Sequence, residues 1–208
     1  MRGISSSHSF VIIISVILCA GVLTSSQIVY AGEPTEQLRQ SVDSVISIVS
    51  NKELKAPEKK TERRAKIRKT VDNIFDFNEM SKRSMARNWS KRTAEEQKEF
   101  SSLFADLLEA TYASKIERYN GEKIAYTGES IDDGYAVVKT KIITHSNSEV
   151  PVDYKLLKEG AKWMAYDVMI EGVSLVNNYR TQFNEIIHSS SYEELVKRMK
   201  EKSLKEPK

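Results

Sequence analysis

The order of apolar and polar positions along the chain predicts helices first, then strands, then helices again. In residues 33–50, Leu38, Val42, Val45 and Val49 recur at intervals of three or four. Such spacing places apolar side chains on one face of an α-helix. The first predicted element is therefore an amphipathic helix.

Three more helices are predicted before the first strand. They cover residues 58–75, 76–89 and 94–119. Thr93 and Glu96 have the spacing of a capping box, in which each residue binds the free backbone N–H of the other. This pair marks the start of the longest predicted helix.

Alternation with a period of two then predicts four strands, at residues 123–131, 135–144, 149–158 and 162–170. Short polar links join them, and short links are typical of antiparallel neighbours. The alternation in the fourth strand assigns Met164, Tyr166, Val168 and Ile170 to one face and Trp163, Ala165, Asp167 and Met169 to the other.

Two helices are predicted to close the chain. Gly172 interrupts the fourth strand, and Ser174 is the expected N-cap of the next helix. A last helix is predicted over residues 191–202. The whole pattern predicts an α+β fold, in which helices pack on one face of a four-stranded antiparallel sheet.

The N-terminal segment has the features of a secretory signal peptide. Residues 10–23 form an apolar core, and Val29, Tyr30 and Ala31 form a cleavage site with small residues at its first and third positions. We expect cleavage after Ala31 and a location outside the cytoplasm, in the periplasm. An uncleaved membrane anchor is the alternative, although the core is short for a spanning helix.

Composition fits one globular domain with short appendages. The chain has 208 residues, of which 40% are hydrophobic and 29% charged, with a net charge of +3. This charge is too small to indicate nucleic-acid binding. Cys19, the single cysteine, lies in the leader, so the remaining chain relies on core packing alone. We expect a single domain over 32–202 and a disordered tail over 203–208.

Motifs for catalysis or metal binding are absent from the sequence, so we expect no enzyme activity and no cofactor. His145 and His188 do not have metal-ligand spacing, and no nucleophile motif or phosphate-binding glycine loop occurs. Asp167 and Glu171 could form an acid–base pair only if both lined a cleft. We favour a structural role for them.

Two separated blocks resemble one family. The first contains Trp163, Tyr166, Asp167, Glu171, Gly172, Val173 and Ser174, and the second contains Trp89, residues 93–100, Phe104 and Tyr112. Over residues 75–199 the chain is similar to the periplasmic phospholipid-binding proteins of the Mla pathway, also called the toluene-tolerance family. The resemblance implies a twisted sheet and helices that enclose an apolar lipid cavity.

The resemblance also implies a function. It suggests a soluble carrier that moves phospholipid between the inner and outer membranes, with transient membrane contact. The implied partners are an inner-membrane MCE-domain protein of an ABC transporter and an outer-membrane lipoprotein complex. An isomerase-like enzyme, a structural cell-envelope adaptor and a carrier of hopanoid-type lipids remain alternatives.

The residues expected to contact the lipid come from strands and helices. They are Val138, Ile142, Val152, Tyr154, Tyr166, Val168 and Val173 on the sheet side, and Phe104, Leu108, Tyr112, Leu175, Tyr179 and Phe183 opposite. Periodicity alone fits equally well a closed core that covers the sheet on both faces.

The second predicted helix has a strongly basic outer face. Arg63, Arg64 and Arg68 are the candidates for docking to an acidic partner or an anionic membrane. The alternative is an ordinary solvated face, since exposed helices commonly carry many charges.

The predicted leader gives a first test. If export removes residues 1–31, the intact mass of the mature protein should correspond to a chain that begins at Gly32. Full-length protein that stays in the membrane fraction would contradict this prediction.

Overall fold

The computed structural model describes residues 32–201 and has the predicted α+β order of helices and strands. The predicted leader (1–31) and tail (203–208) lie outside the described residues, so both stay predictions. Among residues 32–201, no helix combines the length and apolar character that a membrane span requires.

Six α-helices are present in the described part of the chain. They are α1 (Glu33–Ser50), α2 (Lys60–Val71), α3 (Phe77–Met85), α4 (Ala94–Glu117), α5 (Leu175–Ser189) and α6 (Tyr192–Lys200). The predicted capping box opens α4: the Thr93 hydroxyl accepts from Glu96 N at 3.2 Å, and the Glu96 carboxylate accepts from Thr93 N at 2.7 Å. The prediction for this helix start is confirmed.

The sheet has five antiparallel strands, one more than predicted. They are β1 (Lys123–Asp132), β2 (Tyr135–Ile143), β3 (Glu149–Glu159), β4 (Lys162–Ile170) and β5 (Val173–Ser174), adjacent in that order. Between β4 and β5, Glu171 (φ 50°) and Gly172 (φ 82°) both have positive φ, as a tight two-residue hairpin requires. This turn folds the short β5 back onto β4, which the alternation pattern did not reveal.

The outer edge of β4 is also paired with the segment that follows α2. Ala165 N donates to Ile74 O at 2.7 Å, and Asp76 N donates to Ala165 O at 3.0 Å. The predicted helix over 58–75 is therefore wrong at its C-terminal end. Helix α2 stops at Val71 because residues 74–76 use their backbone groups to pair with β4.

A β-bulge in β4 changes which of its side chains share a face. Opposite Lys155 lies Asp167, whereas opposite the next residue, Leu156, lies Ala165. Tyr166 is the extra residue, and such an insertion reverses the alternation. The prediction that Trp163 and Ala165 lie on the other face of β4 from Val168 is therefore wrong.

Two separate cores stabilise the domain. The sheet core contains Leu38, Ile74, Ala136, Val138, Leu156, Trp163 and Ala165. The helical core lies between α3, α4, α5 and α6 and contains Met80, Met85, Phe100, Phe104, Leu107, Leu108, Leu175, Val176, Tyr179, Phe183, Ile186, Tyr192, Leu195 and Met199. Phe75 is half-buried and packs against both cores.

Asp167 joins the sheet to the start of α5. Its carboxylate accepts from Ser174 Oγ at 2.7 Å and from Val176 N at 3.1 Å, and Lys155 Nζ lies 3.7 Å away. Ser174 Oγ in turn accepts from Asn177 N at 3.0 Å, which confirms the predicted N-cap. A carboxylate beside a helix N-terminus also stabilises the helix dipole.

Replacement of Asp167 tests this connection. Asp167→Ala leaves the buried Val176 N–H without an acceptor, so the free energy of unfolding should fall by about 2–4 kcal/mol. Urea denaturation measures it. Asp153→Ala, on the neighbouring strand, is the matched control and should cost less than about 1 kcal/mol. Equal losses for both variants would contradict the role of Asp167.

Candidate functional site

The sheet face that α1 covers is called here the inner face. Directly opposed residues of antiparallel strands share a face. The register therefore arranges the inner face in four successive rows: Ile131, Ala136, Leu156 and Ala165; Glu129, Val138, Tyr154 and Val168; Tyr126, Thr140, Val152 and Ile170; and Ile124, Ile142 and Val150.

Burial changes from one end of the inner face to the other. In the first row, Ala136, Leu156 and Ala165 are at most 2% exposed, whereas Ile131 on the edge strand β1 is 54% exposed. Each residue of the last row, with Ile142 at its centre, is only half-buried. We call these the packed end and the half-buried end. Apolar side chains in a closed core are normally fully enclosed, so the half-buried end is packed less tightly than a core.

Five of the predicted lipid-contact residues on the sheet share the inner face: Val138, Ile142, Val152, Tyr154 and Val168. Tyr166 does not join them. Its ring contacts Tyr135 at 6.0 Å between centroids and lies 4.0 Å from the Arg83 guanidinium. The prediction of a common face is wrong for Tyr166 because of the bulge. Val173 lies in β5 and is 46% exposed.

The predicted helix-side residues belong to the helical core. Ring centroids of Phe104 lie 5.1 Å from Tyr179 and 5.4 Å from Phe183, and all three side chains are fully buried. Leu108 and Leu175 are buried in the same core, and Tyr112 packs at its margin. Val138 and Tyr154 of the sheet side pack in the sheet core, so the helix-side residues belong to a different cluster. The lipid-binding role of the whole set stays a prediction.

Arginine ion pairs connect α2 with α4. Glu117 accepts from both Arg63 and Arg64 at 3.1 Å. Hydrogen bonds from Arg64, and secondarily from Arg63, hold the pKa of the Glu117 carboxyl below its usual range, although burial opposes this. Arg68 lies 2.8 Å from Asp106. One side of α2 is therefore tied to acidic residues of α4.

Arg68 is the most heavily paired of these arginines. Its guanidinium also lies 3.0 Å from Glu109 and 2.7 Å from Asp72. Burial disfavours its charge, but hydrogen bonds to Asp106, Asp72 and Glu109 outweigh burial and raise its pKa. Helix α2 has only one buried residue, Ile67, and its arginines reach α4 through ion pairs.

These pairs bear on the docking prediction. The guanidinium groups of Arg63, Arg64 and Arg68 are engaged with carboxylates of the same chain. Lys60 and Lys69 are exposed and have no ion pair with any residue of 32–201. Docking by the arginines stays a prediction, and these two lysines are the cations of α2 that are available to a partner.

The candidate chemical groups have structural contacts. His145 Nε2 lies 2.9 Å from Asn120 O, and His188 is exposed in α5. Asp167 holds the start of α5, and Glu171 lies in the β4–β5 turn. Over residues 32–201, no group of three or more His, Cys, Asp or Glu side chains is arranged to hold a metal ion.

Two surface clefts lie away from the predicted site. One, of about 240 Å³, is bordered by Leu38, Ile74, Leu156 and Trp163 at the packed end. The other, of about 470 Å³, lies between α4 and α6 beside Tyr192. None of the predicted lipid-contact residues lines either cleft.

The predicted lipid-contact set left out part of the inner face. Ile124 and Tyr126 of β1 and Val150 of β3 lie on it, as does Ile170 of β4, which the alternation already assigned to the same face as Val168. The alternation of Ile124 and Tyr126 was a usable signal. A second register shift, between Tyr126 and Gly128, hides it further along β1.

Known proteins resemble this chain in sequence and in fold. The family model of the MlaC protein matches residues 39–201. A solved structure of a phospholipid-binding protein from Ralstonia solanacearum, in complex with a phospholipid, superposes with a TM-score of 0.71. Its sequence is 26% identical, and the match covers 82% of this chain and 97% of that chain.

Two curated relatives agree with this family. The toluene tolerance protein ttg2D of Pseudomonas putida is 26% identical over 119 residues, which cover 56% of this chain and 55% of that protein. The intermembrane phospholipid transport system binding protein MlaC of Haemophilus influenzae is 20% identical over 195 residues, or 91% of this chain and 90% of that protein. Since the family model spans most of its length, the chain belongs to the MlaC protein family.

Proposed function

We propose that this chain is a periplasmic carrier that binds a two-chain phospholipid and moves it between the inner and outer membranes. The observation that carries the proposal is the match, over 82% of the chain, to a protein whose structure contains a bound phospholipid. Membership of the MlaC family supports the same function. The half-buried apolar end of the inner face is consistent with an acyl-chain site.

Physical chemistry explains why such a lipid needs a carrier. Exposing one methylene group to water costs about 0.8 kcal/mol. A lipid with roughly 30 methylenes therefore faces a cost on the order of 20 kcal/mol when it leaves a membrane alone. A carrier must cover both tails, whereas the charged headgroup can stay in water, because burying it unpaired is costly.

We place the acyl chains beside the half-buried end of the inner face. Ile142 and Val150 there, and Val42 and Val45 of α1, are apolar and only half-buried. Helix α4 packs on α3, α5 and α6 and reaches α2 through long charged side chains. Side chains of this length can keep a space between helices without an apolar contact to fill it. Leu108 and Tyr112 of α4 remain our candidates for the opposite wall.

The carrier would exchange lipid with membrane-bound partners. We propose an MCE-domain protein of an inner-membrane ABC transporter on one side and an outer-membrane lipoprotein complex on the other. The exposed lysines Lys60 and Lys69 would provide an electrostatic contact to an acidic partner or an anionic membrane. The arginines would then act indirectly, by holding α2 in position.

Arginine substitutions at the two ends of the inner face test the site. Ile142→Arg should leave the fold intact but lower the bound lipid severalfold, because a long side chain can lie along an acyl-chain site with its charge in water. Val138→Arg is the matched control: this position is fully buried, so the unpaired charge should unfold the domain.

Thermal melting and mass spectrometry of the bound lipid measure both outcomes, and the spectrum also separates phospholipids from hopanoid-type lipids. If Ile142→Arg protein keeps its full lipid load, the acyl chains do not lie at this end. Wild-type protein that is well folded but takes up no lipid from vesicles would instead favour the structural adaptor.

Charge reversal on α2 tests the docking surface. Lys60→Glu with Lys69→Glu should slow lipid transfer to anionic vesicles severalfold and flatten its salt dependence, while the bound lipid stays unchanged. Lys98→Glu with Lys197→Glu changes the net charge equally on α4 and α6 and serves as the control. Equal effects of the two pairs of substitutions would mean that α2 is an ordinary solvated surface and not a docking surface.

A further inference from the structure

Tyr154 lies in the middle of the inner face without a hydrogen-bond partner. It is paired with Val138 and Val168, in the row next to the packed end. Its residue is half-buried, and burial raises the pKa of its hydroxyl to about 12. No residue of 32–201 donates to or accepts from this hydroxyl. The group therefore stays protonated and is a neutral donor in apolar surroundings.

Tyr126 provides a second hydroxyl of the same kind. It lies on β1 in the following row, diagonal to Tyr154 across β2. Its hydroxyl is buried and has no hydrogen-bond partner within the described chain. Burial, and then the neighbouring Tyr154, raises its pKa. Two hydroxyls without a protein partner thus lie on adjacent rows of the inner face, and that of Tyr126 is fully enclosed.

The polar groups around them are already engaged. The Thr140 hydroxyl donates to Val152 O at 2.5 Å. Glu129 accepts from Thr35 N at 2.8 Å and from the Thr35 hydroxyl. A buried donor without an acceptor typically costs a protein about 1–3 kcal/mol, and native structures rarely leave one unexplained. An acceptor supplied by a ligand would satisfy the enclosed Tyr126 hydroxyl and would give the Tyr154 hydroxyl on the next row a partner as well.

The chemistry of the pair restricts the ligand group. The Arg39 guanidinium lies over the Tyr126 ring, 4.1 Å from its centre, and 3.8 Å from the Glu36 carboxylate. Glu36 and Asp43 also act on the Tyr126 hydroxyl, so these two carboxylates offset the one cation and the surroundings do not compensate the desolvation of a phosphate. A neutral carbonyl oxygen is less costly to bury and accepts hydrogen bonds well. Two such oxygens close together match two donors on adjacent rows.

We propose that the hydroxyls of Tyr126 and Tyr154 donate hydrogen bonds to the ester carbonyl oxygens of a diacyl glycerolipid. This inference rests on the proposed function and extends it: the protein would recognise how the acyl chains are linked. The apolar residues around the pair would contact the chains on either side of the linkage. Lipids with ether-linked chains of the same length lack these carbonyl acceptors.

A competition between ester and ether lipids tests the inference. Protein is incubated with vesicles that contain equal amounts of diester and diether phosphatidylethanolamine with matched chains, and the bound lipid is identified by mass spectrometry. Wild-type protein should bind the diester lipid in about fivefold excess or more, since each lost hydrogen bond weakens binding by about 2- to 10-fold. The double variant Tyr126→Phe, Tyr154→Phe should bind both lipids equally.

Thermal melting of the lipid-free variants distinguishes a hydrogen-bonding role of the hydroxyls from a role of the tyrosine rings in packing alone. Tyr126→Phe removes an enclosed hydroxyl that has no partner, so it should raise the melting temperature of lipid-free protein by about 2–4 °C, whereas Tyr154→Phe should change it little. Tyr166→Phe is the control, because Tyr166 lies off the inner face, and it should keep the diester preference.

The outcomes separate this inference from the proposed function. Wild-type protein that binds diester and diether lipids equally would overturn the ester assignment and leave phospholipid binding intact. A diester preference that persists in the double phenylalanine variant would also overturn it. Wild-type protein that takes up neither lipid would overturn the proposed function and this inference with it.

Discussion

The bulge at Tyr166 is the constraint on which both halves of the domain depend. By inserting one residue into β4, it turns Ala165 and Val168 to the same face, so apolar side chains continue along the inner face past the insertion. It also aims the Asp167 carboxylate at the first turn of α5. Without the bulge, and with Ala165 in its present place, regular alternation would turn Asp167 to the inner face and Val168 away from it. The Asp167 carboxylate would then be a charge on the face that forms the sheet core.

Attachment of the helical core follows from that geometry. Helix α5 begins directly after the β4–β5 hairpin, and Asp167 and Ser174 satisfy its first backbone donors. The aromatic side chains of α5 then pack with those of α4, as the contact of Phe104 with Tyr179 shows. Helix α2 is attached differently, through Arg64 and the other arginine pairs. Ion pairs that are partly exposed contribute little to stability, so this contact can separate more easily than the aromatic core.

The sequence was sufficient for those features that local patterns encode. The span of α1, the capping box at Thr93 and the Ser174 N-cap follow from short-range rules, and the structure confirms them. The bulge and the pairing of residues 74–76 with β4 did not follow, because both are set by a distant strand rather than by neighbours in sequence. The prediction of the site residues was affected most, because a single inserted residue moves Tyr166 off the face that periodicity assigned to it.

Long basic side chains were also ambiguous in the sequence. The run that contains Arg64 and Arg68 has the same composition whether it is solvated, docks a partner or pairs within the chain. Only the positions of Glu117 and Asp106 on α4 distinguish these cases. A composition argument therefore identifies a charged helix but not the groups that its charges meet.

The two ends of the inner face have opposite physical requirements. In residues 32–201 no cysteine is available to cross-link the fold, so stability must come from complete packing. The packed end, with Leu156 and Ala165 almost inaccessible, and the aromatic helical core meet that requirement. A site that admits and releases a flexible apolar ligand cannot be packed as tightly, because a filled core leaves no room for one. The graded burial from Ala136 to Ile142 lets one sheet meet both requirements, since each row is held by its strands even where its side chains are loosely covered.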